Sequence, residues 1–305
     1  MIKIERSDLM LDLEKPLVSL IIPVKNEGSH IQNTINSVFQ VKTNYSFEII
    51  VVDDESTDRC CDFLFQSPYA DLPQLKLIRS KGVGPANARN IGAKHSLGQY
   101  LIFCDAHLFF EDFWIDHLLK PIKDGFADGT TPGIADTKKP NFPGYGQTLN
   151  EHLGVVWYTN TNTLAPIAVL PAGCCAISRN VFFNIGGFDT GFKGWGFEDI
   201  EISIKMWLFG YKCYAQPVVK ILHVFRKSAP YHIITDNIYF NMLRMAYSHF
   251  NKERIYKCKN LIGNHRLSKI DESVLTSGVL KQRKNYFARR KYSDEWYIST
   301  FNIPF

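Results

Sequence analysis

The chain has 305 residues, 45% of them hydrophobic, which suffices for one large core or two modest ones and excludes a disordered tail or a staple-dependent miniprotein. Thirty-five Lys and Arg against 30 Asp and Glu give a formal charge of +5, but residues 251–295 alone hold twelve basic and five acidic side chains, so the rest of the chain nets −2. A mild excess confined to one end gives no reason to expect a nucleic-acid partner. It leaves the C-terminus to be accounted for by itself.

Leu17–Val24 (LVSLIIPV) is a nearly continuous β-branched run, the pattern of a parallel strand buried on both faces. Ser29 then precedes apolar residues at Ile31, Ile35, Val38 and Phe39, a helical spacing with a capping residue at its start. Further strands are predicted at Phe47–Val52, Leu75–Arg79 and Tyr100–Cys104, with a helix over Pro85–His95. Strands alternating with helices at this spacing imply an α/β fold with a mainly parallel sheet and right-handed crossovers. From Gly125 to Gly146 glycine, proline and asparagine are frequent, and a long irregular loop is expected. Strands follow at Ala168–Ile177 and Lys212–Val219, a helix at Glu201–Phe209 ended by Gly210, and a helical segment from Ile233 to Phe250 leading into the basic tail.

Seven cysteines, an odd count without C-x-x-C spacing, fit neither a disulfide framework nor a thiolate zinc site. Met1 to Pro16 is polar and acidic, so no signal peptide is expected, and a reducing, cytoplasmic setting follows. The longest apolar run, Leu164–Ile177, is too short to span a bilayer and contains Pro166 and Pro171.

In open α/β sheets ligands bind at the carboxyl ends of the strands, and the polar clusters Lys25-Asn26-Glu27, Asp53-Asp54 and Asp105-Ala106-His107 all follow predicted strands. Any one of these aspartates also suits a turn or a helix cap; three together point to a site. Asp105 and His107, two residues apart on extended chain, point the same way and offer two edges of a site for a cation of mixed oxygen and nitrogen preference, such as Mn²⁺. A third ligand must come from elsewhere, and His223, three residues before an Arg226 suited to phosphate, is the candidate. Gly82-Val83-Gly84 lacks the third glycine of a dinucleotide fingerprint and reads as a turn that starts a helix at Pro85. Glu198 and Asp199 open a helix, where the dipole alone favours acids, but the preceding Gly194-Trp195-Gly196 suits a lid that delivers a carboxylate to substrate.

The segments Leu20-Ile21-Ile22-Pro23-Val24-Lys25-Asn26-Glu27, Glu48 through Asp58 (EIIVVDDESTD) and Ala88-Arg89-Asn90-Ile91-Gly92-Ala93 resemble the opening of a family 2-type glycosyltransferase with the GT-A fold, over about Val18 to Tyr231. Asp105-x-His107 with Trp195-Gly196-Phe197-Glu198 and His223-Val224-Phe225-Arg226 resembles, within that fold, the polypeptide N-acetylgalactosaminyltransferases. The resemblance implies Asp105, His107 and His223 as ligands of Mn²⁺ or Mg²⁺, Arg226 and Tyr231 at the donor diphosphate, and Pro23, Glu27, Asp54 and Arg89 around the uridine. It also implies Gly173 and Glu198 facing the donor sugar and Trp195 in the lid. Phe197 and Asp199 depart from the subgroup's Trp-Gly-Gly-Glu-Asn. Inverting family 2 enzymes place a catalytic base where Asp199 stands, whereas the N-acetylgalactosaminyltransferases retain configuration, so both stereochemical outcomes stay open.

The expected activity is metal-dependent transfer of a hexose or N-acetylhexosamine from a UDP-sugar to a hydroxyl or thiol on a peptide, glycan or lipid-linked acceptor. The alternatives are a nucleotidyltransferase and a non-catalytic sugar-nucleotide-binding module. Residues 1–232 are expected to form the catalytic domain and 233–305 a helical, basic extension. In that extension Arg283, Lys284, Arg289, Arg290 and Lys291 alternate with Tyr286, Phe287, Tyr292 and Trp296. Such a segment is either a solvated helical face or a peripheral contact with anionic membrane.

Overall fold

A computed structural model describes residues 15–305, so the polar opening of the chain lies outside the described residues. In chain order the first half contains strands β1 (Val18–Val24), β2 (Phe47–Asp54), β3 (Leu75–Ser80), β4 (Tyr100–Cys104) and β5 (Leu108–Phe109), with helices α1 (His30–Gln40), α2 (Pro85–His95) and α3 (Trp114–Lys123). Then come β6 (Gly129–Asp136), β7 (Lys139–Gly144), β8 (Gln147–Leu149), β9 (Val155–Trp157), β10 (Ala165–Pro166) and β11 (Cys174–Ser178), and helices α4 (Arg179–Asn184) and α5 (Glu198–Leu208). The long strand β12 (Cys213–His223) precedes five helices, α6 (Thr235–His249), α7 (Lys252–Asn260), α8 (Asn264–Thr276), α9 (Val279–Arg289) and α10 (Asp294–Thr300).

The sheet runs β10-β12-β6-β11-β4-β1-β2-β3, with β5 on β12 and β7 on β6. The block β4-β1-β2-β3 is parallel throughout, and β11 joins it antiparallel to β4. Side chains alternate between the two faces, and both faces are covered, which is why these runs are apolar throughout. Ile21, Ile50, Val52, Leu101 and Phe103 point into one core with α2 and the C-terminal helices, while Leu20, Ile22, Ile49, Val51 and Ile102 point into a second core with α1 and α3.

The expected loop at Gly125–Gly146 is instead mostly sheet. Strand β6 is buried and pairs in parallel with β12 and antiparallel with β11, and β7 runs back along it. Its composition misleads because its irregularity is absorbed locally. Pro132 stands opposite Gln216, where the β12 register shifts, so its missing N–H falls beside a bulge. Thr130 and Thr131 are fully buried because their hydroxyls donate to the Leu118 and Cys174 carbonyls. The strand expected at Ala168–Ile177 is shortened to β11: a turn at Pro171 interrupts the run, and Val169 before it makes only an isolated bridge to Gln147. Strand β12 runs four residues beyond the expected Val219, to His223.

The C-terminal helices complete the first core. Phe240, Leu243, Met245, Phe250, Val274, Val279 and Tyr297 are buried in it with the residues of α5. The junction is held by a buried ion pair: the Arg244 guanidinium donates to both Asp189 oxygens at 2.9–3.1 Å and also reaches Ser277 and Gln282. Removing one partner of such a pair strands a charge in the interior. Arg244→Met is expected to lower unfolding free energy by about 3–5 kcal/mol in urea titration, and adding Asp189→Leu to recover part of the loss. A single variant as stable as wild type would show the pair to be ornamental.

The basic side chains of the C-terminus are largely engaged. Arg283 donates to the Tyr247 and Phe250 carbonyls and Arg290 to that of His249, so two cations cap the end of α6, where carbonyls lack partners and the dipole is negative. Arg254 pairs with Asp294 and Glu295, and Lys259 with Asp271. All seven cysteines are free and buried. No helix among the described residues is long and apolar enough to cross a membrane.

Candidate active site

The carboxyl ends of β1, β2, β4 and β12 open into one cavity of about 600 Å³. Its wall includes Pro23, Glu27, Asp54, Arg89, Asp105, His107, Trp195, Glu198, His223, Arg226 and Tyr231. The loop 224–234 between β12 and α6 roofs it.

Asp105 is placed at the end of β4, where its backbone N–H donates to the Gly173 carbonyl at 2.9 Å. His107 follows just before β5, and His223 ends β12, paired with Leu108 of β5. Ligand atoms of these three residues lie within 4.8 Å of one another. The donor set fits a divalent cation. His107 turns Nδ1 to the Glu27 carboxylate at 3.1 Å, which leaves Nε2 free and fixes the ring, an arrangement typical of metal-ligating histidines. His223 faces Asp105 through Nε2 at 3.4 Å, and its buried Nδ1 has no protein partner. Gly173 borders the cluster: a Cβ there would stand at ordinary contact distance, 3.4 Å from Asp105 Oδ2 and 3.6 Å from the His223 ring.

The charges around this cluster interlock. Burial alone would raise the Asp105 pKa, but the hydrogen bond to His223 and the charge of Arg89 hold it well below the usual carboxylate range. Arg89 is almost fully buried and bridges Asp105 at 3.1 Å and Glu198 at 3.2 Å, so it stands between the candidate ligand and the lid carboxylate. Arg226 pairs with Glu27, the same carboxylate that orients His107. Burial and the nearby Asp105 and Glu198 push the Tyr231 hydroxyl up to about 12, which keeps it a proton donor at neutral pH.

Asp54 does different work. It accepts from the Ser80 hydroxyl at 2.6 Å and from the Val83 and Gly84 N–H groups at 2.8 Å each, tying the β2 end to the turn before α2. That turn is where the incomplete glycine motif lies, and Gly84 is required twice over. Its φ is +83°, and a Cβ would come within 2.9 Å of the Gly194 carbonyl oxygen in the lid.

The segment expected to form a lid, Gly194-Trp195-Gly196, borders the cavity through Gly194 and Trp195, and Trp195 is 46% exposed. Phe197 takes φ +68°, a left-handed conformation that turns the chain into α5 and carries Glu198 onto the cavity wall, where Glu198 accepts from the Gly196 N–H at 2.9 Å. Asp199 does not line the cavity; its carboxylate accepts from its neighbour's N–H at Ile200. Burial, then the adjacent Glu198 carboxylate, push Asp199 up to about 7.

This shift has a sign for stability. A carboxyl raised from near 3.8 when unfolded to about 7 when folded stabilises the fold below the lower value and loses that contribution as pH rises through the higher one. Asp199→Asn is therefore expected to gain thermal stability over wild type by a few degrees at pH 8 and to gain little at pH 4. An equal gain at both pH values would contradict the assignment.

Sequence reasoning missed the roof residues Lys227, Ser228, Pro230, Ile233 and Ile234, and the α6 residue Asn237, all of which border the cavity. Nothing in their local pattern marks them; only their position after His223 does.

Residues 19–186 match Glycosyl transferase family 2, and residues 160–228 match the N-terminal domain of galactosyltransferase. Mouse polypeptide N-acetylgalactosaminyltransferase 4 is 31% identical over 236 residues, covering 71% of this chain and 41% of that protein. Xenopus tropicalis polypeptide N-acetylgalactosaminyltransferase 11 is 28% identical over 313 residues, covering 92% of this chain and 50% of that protein. The chain thus spans half or less of these curated relatives. A crystal structure of GalNAc-T7 with UDP, GalNAc and Mn²⁺ superposes with a TM-score of 0.72 at 22% identity, covering 95% of this chain and 57% of that one. A Pyrobaculum calidifontis mannosyltransferase in complex with GDP-Man and Mn²⁺ gives 0.51 at 17% identity, covering 90% and 75%. The fold is GT-A, and with more than half of its length matched the chain belongs to glycosyl transferase family 2.

Proposed function

We propose that this protein is a metal-dependent glycosyltransferase that moves a hexose or N-acetylhexosamine from a UDP-sugar to a hydroxyl or thiol of a peptide, glycan or lipid-linked acceptor. The observation that carries the reading is the convergence of Asp105, His107 and His223 in one cavity with Arg226, Tyr231 and Glu198. The N-acetylgalactosaminyltransferase relatives favour an N-acetylhexosamine and a peptide hydroxyl among these choices.

Asp105, His107 and His223 would hold Mn²⁺ or Mg²⁺, which when bound supplies Lewis-acid neutralisation of the departing diphosphate. Arg226 and the protonated Tyr231 donate to the same diphosphate. Pro23, Glu27, Asp54 and Arg89 would border the nucleoside end, while Gly173 and Glu198 would face the sugar. Asp199 lies off the cavity wall, which favours Glu198 as the carboxylate that meets the sugar.

The catalytic part, 1–232, and the basic helical part, 233–305, are read as a division along the sequence across a shared core. The seven buried thiols support a cytoplasmic setting. Peripheral contact with anionic membrane would rest on the exposed Lys252, Lys281 and Lys284, because Arg283 and Arg290 are occupied; absence of co-sedimentation with anionic liposomes at low salt removes it. The central test is incubation with a panel of UDP- and GDP-sugars plus Mn²⁺, measuring released nucleotide and the anomeric configuration of the product. Release of UDP is expected. Pyrophosphate from UTP and a sugar phosphate would mark a nucleotidyltransferase, and no turnover of any donor would mark a binding module.

A further inference from the structure

We propose that Asn241, on α6, is the positioning residue that clamps both ends of the Trp195 lid and thereby aims Glu198 into the cavity. Its kinetic consequences rest on the transferase reading above; its structural ones do not.

Asn241 is fully buried and spends its amide on the lid backbone alone. Its Oδ1 accepts from the Lys193 N–H at 2.8 Å, and its Nδ2 donates to the Lys193 carbonyl at 3.0 Å and the Gly196 carbonyl at 2.9 Å. Those two residues bracket Gly194-Trp195, so the clamp pins both sides of a two-residue tip and leaves the tip itself free. The Gly196 residue is then held at both of its backbone groups, because its N–H donates to Glu198 Oε2 at 2.9 Å while its carbonyl is held by Asn241. Gly194, Gly196 and Phe197 all carry positive φ, so the loop has no regular ladder of its own to fix it. An amide side chain, which offers both donors and an acceptor, satisfies the pattern; a hydroxyl or carboxylate satisfies only part of it.

The first turns of α6 reinforce this arrangement. Asn237 approaches Gly194 and Ile238 approaches Gly196, so the helix that begins where the cavity roof ends also carries the lid. Roof and lid therefore share one rigid mount.

The test uses the full chain with Asn241→Ala, and with Ser248→Ala as a control that removes buried hydrogen bonds from the same helix without touching the lid. Limited trypsin digestion reads cleavage after Lys193, whose flanking groups Asn241 holds. Asn241→Ala is expected to be cut there at least about tenfold faster, because the three hydrogen bonds that hold the backbone on either side of the tip are lost, and Ser248→Ala at the wild-type rate. With the donor found in the panel, Asn241→Ala should lower kcat about tenfold or more while KM for the donor stays within about threefold, since the nucleotide contacts are untouched. If Asn241→Ala does not fold, Asn241→Ser is read the same way with a smaller effect. Unchanged cleavage and unchanged kcat in a folded variant overturn the proposal, as does an equal change in Ser248→Ala. A wild type that turns over no sugar nucleotide removes the transferase reading while the cleavage arm still decides on Asn241.

Discussion

His223→Ala is expected to lower sugar transfer by about 10³-fold or more and to abolish its stimulation by Mn²⁺, with the fold intact by circular dichroism. The magnitude follows from what the side chain does. On the proposed reading it supplies one of three converging ligand groups, and losing it leaves two protein ligands and a weaker hold on the cation that neutralises the diphosphate leaving group. His223 also sits at the last residue of β12, with a backbone partner on β5, so the ring is removed from a strand that remains in register. Titration with Mn²⁺ followed by calorimetry separates the ligand role from a general loss of activity: wild type binds one ion, and the variant binds far more weakly. Full turnover of wild type in excess EDTA would end the metal assignment.

Glu198→Gln is expected to cost about two orders of magnitude in kcat, whereas Asp199→Asn keeps most of the activity. The two carboxylates are neighbours in sequence and differ in setting. Glu198 lies on the cavity wall and is paired with the buried Arg89; Asp199 lies off that wall. Gln keeps the size and the Gly196 contact of Glu198 but leaves Arg89 without half of its compensation. The reverse order, with Asp199→Asn the more damaged, would assign Asp199 as a base and predict an inverted product.

The core of the fold is legible in the sequence because β1, β2 and β4 are apolar on both faces, and in a chain whose strands alternate with helices such runs belong in a parallel sheet covered on both sides. The candidate metal cluster is legible for a related reason. Asp105 and His107 announce themselves by spacing after a strand, and His223 by the arginine that follows it, although nothing local shows that residues 118 apart in sequence meet. Strands β6 and β7 are illegible because their glycines and prolines are accommodated by a bulge and an edge, which are properties of their partners. Asn241 is hidden in the same way: an asparagine within a helix reads as a weak helix former, and its three hydrogen bonds are all to a loop 45 or more residues earlier.

That separation sets an order of assembly during synthesis. At the roughly 5–20 residues per second of translation, the lid leaves the ribosome some seconds before the amide that clamps it. Asp105 precedes His223, the last of the three candidate ligands, by more than twice that interval. A nascent chain therefore carries the cavity floor at the ends of β1, β2 and β4 before the roof and the Asn241 clamp exist. The cavity is complete only once α6, which supplies Asn237 to its wall, has been made.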